Sequence, residues 1–222
     1  MKEGILIIDK PQGMTSHDVV DCVRRKLKTR RVGHSGTLDP VATGVLVVLV
    51  GKATKLFSEF VHFDKEYEAT LRLGIVTSTG DSQGKILSEK TLGDLSAQQV
   101  KKTFEMFVGA RAQVPPMVSA IKYHGRRLYD LARRGIEVKR EARPIKIYDL
   151  KITRLALPEI DFYVKCSKGT YIRRLGEEIG EELDVGGSIS RIRRISLGPF
   201  HIADAIRLED VGETHLRDWK SS

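Results

Sequence analysis

The sequence predicts a globular chain in which buried strands and amphipathic helices follow one another with short polar connections, and three observations carry this. Ile5 to Ile8 and Val45 to Val50 are uninterrupted apolar runs, the pattern of inner strands. Tyr67 to Leu73 and Ile160 to Cys166 alternate apolar with polar residues, the period of a half-buried strand. Val19 to Leu27, Val100 to Phe107 and Ile172 to Leu183 carry apolar side chains at helical spacing. With 222 residues, 41% of them hydrophobic, the chain is long enough to bury a sizeable core, as one large domain or one domain with a small appendage.

Taken in order, Ile5 to Ile8 ends at Asp9-Lys10-Pro11-Gln12-Gly13, and Thr15-Ser16-His17-Asp18 forms a capping box that opens a helix with Val19, Val20, Val23 and Leu27 on one face. Lys10 stands where strand becomes loop, a position from which an ammonium reaches a phosphate or a pocket, although a solvated lysine is the simpler reading of this stretch alone. After Val45 to Val50, a short helix beginning at Lys52 carries Phe60 and Val61. Tyr67 falls on the inner face of the next strand, and Thr77 to Gly84 reads as a flexible polar connection. Ser96 and Gln99 cap a helix that turns Val100, Phe104 and Phe107 inward and ends at Gly109. Ile145, Ile147 and Ile152 belong to one strand region, and Ile160, Phe162, Val164 and Cys166 to the next strand. Thr170 is expected to cap a helix whose stripe is Ile172, Leu175, Ile179 and Leu183, with Glu177, Glu178, Glu181 and Glu182 on the solvated face. Ile189 to Phe200 reads as a basic strand, and Leu208 to Trp219 as a terminal helix.

The formal charge of +9 favours a polyanionic partner, nucleic acid ahead of a membrane surface because no basic amphipathic anchor stands out. The apolar core after Met1-Lys2-Glu3-Gly4 is too short for a signal peptide, and Val45 to Val50 falls far below the ~18 residues of a membrane span, so a cytoplasmic protein is expected. Cys22 and Cys166 are far apart on apolar-patterned elements, which predicts buried free thiols. Between Lys122 and Lys146 nine Lys or Arg face three acids, a local excess of six, with Tyr123, His124 and Tyr129 interleaved. Rings among cations suit an unpaired nucleic-acid strand, and a solvated helix from Gly125 to Arg134 closed by Gly135 is the plainer alternative.

The stretch Gly33 to Gly44 sets one carboxylate, Asp39, among three glycines directly before the apolar run. Glycines allow close backbone approach, and Pro40 restricts the residue before it. Spacing alone favours a surface turn. Arg173 occupies the first turn of a helix, where the dipole disfavours a cation, so a carboxylate or phosphate partner explains it better than helix stability does.

Five motifs in order change that reading. Asp-Lys-Pro-x-Gly-Met-Thr-Ser (9 to 16), Gly-His-Ser-Gly-Thr-Leu-Asp-Pro-x-Ala-Thr-Gly (33 to 44), Lys-x-Tyr-x-Ala-x-x-x-Leu-Gly (65 to 74), Pro-Pro-x-x-Ser-Ala-x-Lys (115 to 122) and Ser-Lys-Gly-Thr-Tyr-Ile-Arg (167 to 173) resemble the TruB family, bacterial synthases that convert tRNA uridine 55 to pseudouridine. The resemblance implies an α+β pseudouridine synthase fold, with a mixed, mostly antiparallel sheet flanked by helices and a cleft across the sheet. It implies one catalytic domain with a basic RNA-gripping insertion at about 113–145, no metal and no cofactor. It assigns Asp39 as catalytic carboxylate, Tyr67 as the ring that stacks on the target base and Arg173 as partner of the aspartate. His34 matches the histidine that helps extrude the nucleotide, Lys10 and Tyr171 match pocket-lining positions, and Ile192 an aliphatic residue against the uracil. Lys122, Arg126, Arg127 and Arg143 belong to the surface expected to grip the RNA. Val118 stands where relatives often have tyrosine, and no C-terminal domain of the PUA type is expected within the chain. The implied partner is the T-arm of tRNA, bound by a monomer without guide RNA or membrane. Two rivals are the guide-RNA-dependent relatives, whose loop also reads Gly-Thr-Leu-Asp-Pro, and an RNA chaperone without chemistry.

Overall fold

Strand β1 (Gly4–Lys10) is buried along nearly all of its length, as its unbroken apolar run requires. The computed structural model describes residues 2–119 and 121–219, with the Lys122 side chain outside that description. Helix α1 (Ser16–Leu27) follows, opened by the expected capping box: the Thr15 hydroxyl accepts from the Asp18 amide while the Asp18 carboxylate accepts from the Thr15 amide. Val19, Val20, Val23 and Leu27 are all buried, so the predicted face is the packed one. Strand β2 (Val32–Ser35) comes next, then β3 (Thr43–Val50), a 3₁₀ turn over Gly51–Leu56 and the single-turn helix α2 (Phe57–Phe60).

The chain divides into two compact units, Met1–Glu68 with Ile192–Ser222 and Ala69–Arg191. In the first, β1 runs antiparallel to β3 from Gly4 opposite Val50 to Lys10 opposite Gly44. The other side of β3 is shared. Its C-terminal half pairs with β2, from Val32 opposite Val50 to Ser35 opposite Val47. Ile5, Ile7, Val45, Val47 and Leu49 pack with Phe60, Leu197 and Phe200 in one apolar cluster, edged by Phe63 and Trp219.

The second unit begins within β4 (Lys65–Leu73), which carries the expected alternation. Strands β5 (Ile75–Thr77) and β6 (Ile86–Glu89) form a separate antiparallel hairpin. Residues 77–84 between them are tightly held and are no flexible link. The Thr77 and Thr79 hydroxyls bond to the Asp81 carbonyl and carboxylate at 2.7 and 2.6 Å, and the Gln83 amide donates to the same carboxylate. Helix α3 (Ala97–Met106) has the expected Ser96–Gln99 box and lays Phe104 edge-on against Phe162. Strand β7 (Gly109–Gln113) leads to the segment expected to be basic. There Lys122–Tyr123 (β8) and Arg126–Arg127 (β9) form a hairpin, and only Leu128–Arg133 (α4) is helical. His124 and Gly125 both have positive φ, the geometry of a two-residue turn, so a helix from Gly125 does not form.

Strands β10 (Arg143–Ala156) and β11 (Glu159–Cys166) are antiparallel and β10 also pairs with β7, so the order in this unit is β4, β11, β10, β7. Helix α5 (Ile172–Glu182) starts one residue later than expected, capped at Tyr171, because the Thr170 hydroxyl turns back to the Ser167 carbonyl. Glu177 and Glu178 are not solvated: both converge on Arg174, and burial raises both carboxyls above the usual range while that guanidinium opposes the rise.

Strand β12 (Gly187–Leu197) lies beside β4, and its last residues belong to the first unit, where it runs parallel to the start of β3. Short strands β13 (Phe200–His201) and β14 (Ile206–Arg207) complete a mixed, mostly antiparallel sheet flanked by helices. The expected terminal helix is replaced by two 3₁₀ turns, Leu208–Asp210 and Glu213–His215, and Arg217 pairs with Ile5 at the backbone. Cys166 is buried, as expected, whereas Cys22 is only half-buried.

Candidate active site

Asp39 sits on the loop that leaves β2 at Ser35 and re-enters β3 at Thr43, and the loop is pinned along its length. The Ser16 hydroxyl, released from capping because Thr15 does that work, accepts from the Leu38 amide at 2.8 Å and donates to the Leu38 carbonyl at 3.1 Å. One residue beyond Asp39, the Gly13 amide donates to the Pro40 carbonyl at 2.8 Å, and the Ala42 amide closes the turn on the Asp39 carbonyl. His34 does not belong to this loop: it lies on β2, opposite Val48.

Lys10 ends β1 fully buried and donates to the carbonyls of Met14 at 2.6 Å and Pro11 at 2.9 Å, with Pro40 at 3.5 Å. Burial lowers its ammonium from the ordinary 10.5 to about 8; the Asp39 and Asp18 carboxylates oppose the shift and the Arg194 guanidinium adds to it. The residue matched to a pocket-lining position thus also braces the Asp39 loop. Sequence reasoning read its neighbours, Arg193 and Arg194, only as charges of the basic strand. Arg193 forks onto the Asp9 carboxylate at 2.7 and 3.1 Å, and Arg194 is buried against the loop itself. The available signal was that this arginine doublet stands between Ile192 and Ile195 in the strand read as basic. Tyr67 is buried on β4, in keeping with its expected place on the inner face of that strand, and Ile192 is buried on β12.

In the second unit Arg173 is 3% exposed and holds two loops by their carbonyls, Thr79 at 2.7 Å and Val118 at 2.8 Å, with the Asp81 carboxylate 3.7 Å from its Nε. A charged-group partner was the expectation for this arginine, and Asp81 is one that the sequence did not disclose. Beside it the buried Gln113 side chain brackets the Tyr171 backbone, its oxygen accepting from the amide at 2.8 Å and its nitrogen donating to the carbonyl at 3.3 Å. The start of α5, with no hydroxyl cap, is fixed by this amide instead.

Arg126, Arg127 and Arg143 are exposed. A groove of about 480 Å³ is lined by Arg143 with Pro115, Ile121, Tyr123, Leu128, Lys139, Arg140 and Glu141 among others, so cations and one acid share it with apolar side chains. Arg127 and Arg133 lie over the Tyr129 ring. Among the described residues no three His, Cys, Asp or Glu side chains gather as metal ligands would, and no helix is long and apolar enough to cross a membrane.

Comparison with known proteins agrees with the five motifs. A family described as TruB family pseudouridylate synthase (N terminal domain) matches residues 24–172. A tRNA pseudouridine synthase B from Clostridium kluyveri is 50% identical over 207 residues, 93% of this chain and 71% of the relative. That of Opitutus terrae is 43% identical over 94% of this chain and 87% of its own. Among solved structures, a chain of a Cbf5-Nop10-Gar1 complex superposes with a TM-score of 0.75 at 31% identity, over 94% of this chain and 53% of that one, so this chain spans about half of that neighbour's length. The chain belongs to the TruB family of pseudouridylate synthases.

Proposed function

We propose that this chain isomerises uridine 55 in the T-loop of tRNA to pseudouridine, with Asp39 as the reacting carboxylate. The observation that carries the assignment is the Asp39 loop, fixed on either side of the carboxylate by Ser16 and Gly13 and braced by a buried lysine. A surface turn needs no such anchoring. The relatives named tRNA pseudouridine synthase B supply the substrate class.

The reaction breaks the bond from N1 of uracil to C1′, turns the base and joins C5 to C1′; C5 gives up a proton and N1 takes one. No electrons are gained or lost overall, so the chemistry calls for no redox cofactor. Asp39 serves either by attacking C1′ or by taking a ribose proton, and both routes require it ionised. Arg173 is assigned the cation that favours the ionised form, Tyr67 the face on which the freed base turns, Ile192 the opposing wall, and Tyr171 and Lys10 the lining. His34 assists extrusion of the nucleotide, whose cost of a few kcal/mol is offset by the grip of Arg126, Arg127, Arg143 and Lys122 on the loop. In this reading residues 1–222 act as one catalytic domain, monomeric and cytoplasmic.

Asp39→Asn is expected to abolish pseudouridine formation while tRNA affinity stays within about threefold, the signature of a group used only in the chemical step. Equal losses in rate and affinity would demote Asp39 to a structural residue. The substrate for the assay is a bare T-arm stem-loop, because a guide-dependent enzyme is nearly inert on it.

A further inference from the structure

Arg194 is 1% exposed and among the largest fully buried side chains of the protein. Its Nε donates to the Val45 carbonyl at 2.8 Å and its Nη2 to the Gly36 carbonyl at 3.1 Å, the two ends of the segment that carries Asp39. Its backbone does a second job. Residue 194 is paired with Gly44, and a Cβ on that glycine would lie 2.1 Å from the Arg194 oxygen. A Cβ on Gly36 would lie 3.6 Å from Nη1 of the same arginine. The glycines that open and close the loop therefore both abut one residue of β12.

Among the described residues no carboxylate lies within ion-pair distance of this guanidinium. A buried cation satisfied only by carbonyls is held at a desolvation penalty, and an aliphatic side chain would fill the same space without it. Lys10 is a second buried cation close enough for Arg194 and Asp39 both to act on it electrostatically. Two positive charges kept in the interior around one acidic loop are a fitted environment for an anion.

We propose that Arg194 is a positioning residue for the reaction: its guanidinium ties together the two ends of the Asp39 loop and, with Lys10, surrounds the loop with buried positive charge. This rests on the reading of Asp39 as the reacting group. The residue touches no substrate in this scheme; it acts by fixing where the carboxylate stands, and a small displacement of a reacting atom is enough to slow the chemical step.

The test is single-turnover pseudouridine formation and equilibrium binding on a T-arm stem-loop, for the wild type, Arg194→Met, Arg194→Lys and Asp39→Asn. Arg194→Met is expected to slow the chemical step ~100-fold with the stem-loop Kd within about threefold. Arg194→Lys restores the charge but reaches only one carbonyl, and is expected to recover roughly tenfold of that loss. The proposal is overturned by a wild-type rate in Arg194→Met, by parallel losses of rate and binding, or by Arg194→Lys doing no better than Arg194→Met. It is overturned too if neither variant melts cooperatively, since the residue would then serve the fold as a whole. Asp39→Asn separates the two readings: activity in that variant sinks the assignment of the loop, whereas an inactive Asp39→Asn beside an unimpaired Arg194→Met removes only the role given to Arg194.

Discussion

Lys10 shows how a single buried charge is tolerated and what it does to stability. Its ammonium is satisfied by backbone carbonyls, and burial leaves it at about 8 against an ordinary 10.5. Between those two values the unfolded chain holds a proton that the folded chain has released, so folding is favoured as pH rises through this window. Below about pH 8 the folded state carries the full penalty, on the order of 3 kcal/mol. The stability of the wild type minus that of Lys10→Met should therefore rise by roughly 2–3 kcal/mol from pH 7 to pH 10.5, read by urea unfolding at both values. Subtraction removes every group the two proteins share. A difference that stays flat with pH would show that the Lys10 amine is not held away from its ordinary state. The sequence placed this lysine at a strand end and matched it to a pocket-lining position, but its burial was not legible, since the carbonyls that decide its state belong to the turn after it and to the Asp39 loop.

Among the elements, most of those whose cause is local were legible in the sequence. Both capping boxes, Thr15 with Asp18 and Ser96 with Gln99, were readable because donor and acceptor lie three residues apart. The alternation of β11 was readable because the inner face of a strand is buried residue by residue. Several of the misreadings fall where a distant group decides. Residues 77–84 looked flexible until Asp81 was found at the centre of their hydrogen bonds and beside Arg173. Arg194 was read only as a charge of the basic strand because its acceptors stand 149 and 158 positions away. Gly44 belongs to the same class: the sequence marks it as a turn residue, but its reason is β12. Its φ is +100° and a Cβ would lie 2.1 Å from the Arg194 oxygen, a main-chain atom that cannot move aside without parting β12 from β3. Gly44→Ala should cost about 3 kcal/mol or more, and thus lower Tm by roughly 6–12 °C. Gly13→Ala has the same sign of φ but nothing within 4 Å of its Cβ, and should cost about 1 kcal/mol. Equal shifts in the two melts would mean that backbone conformation alone, and not the approach of β12, sets the requirement for glycine.

For the molecule as a whole, the balance of charge sets how RNA is met. Six of the nine net positive charges come from residues 122–146, and the hairpin and short helix there leave Arg126, Arg127, Arg133 and Arg134 exposed. Sequence reasoning found this excess because charge needs no partner to be counted, although it missed the turn at His124 and Gly125 that displays it. A second run, Arg24 to Arg31, holds six cations and no acid, so the two regions compete as the source of RNA affinity. Salt dependence separates them. Each phosphate contact releases counterions and adds ~0.7–0.9 to the slope of log affinity against log salt. Replacing Arg126, Arg127, Arg133 and Arg134 by Gln takes the formal charge from +9 to +5, four charges fewer, without touching a buried group. If three of the four meet phosphates, the slope should fall by roughly 2–3 and binding should weaken while Tm stays within a few degrees. Single-turnover rate at saturating stem-loop should hold near the wild-type value, because the proposal gives these side chains the grip and Asp39 the chemistry. An unchanged slope would turn the basic hairpin away from the RNA and leave the Arg24 to Arg31 run as the surface to neutralise next.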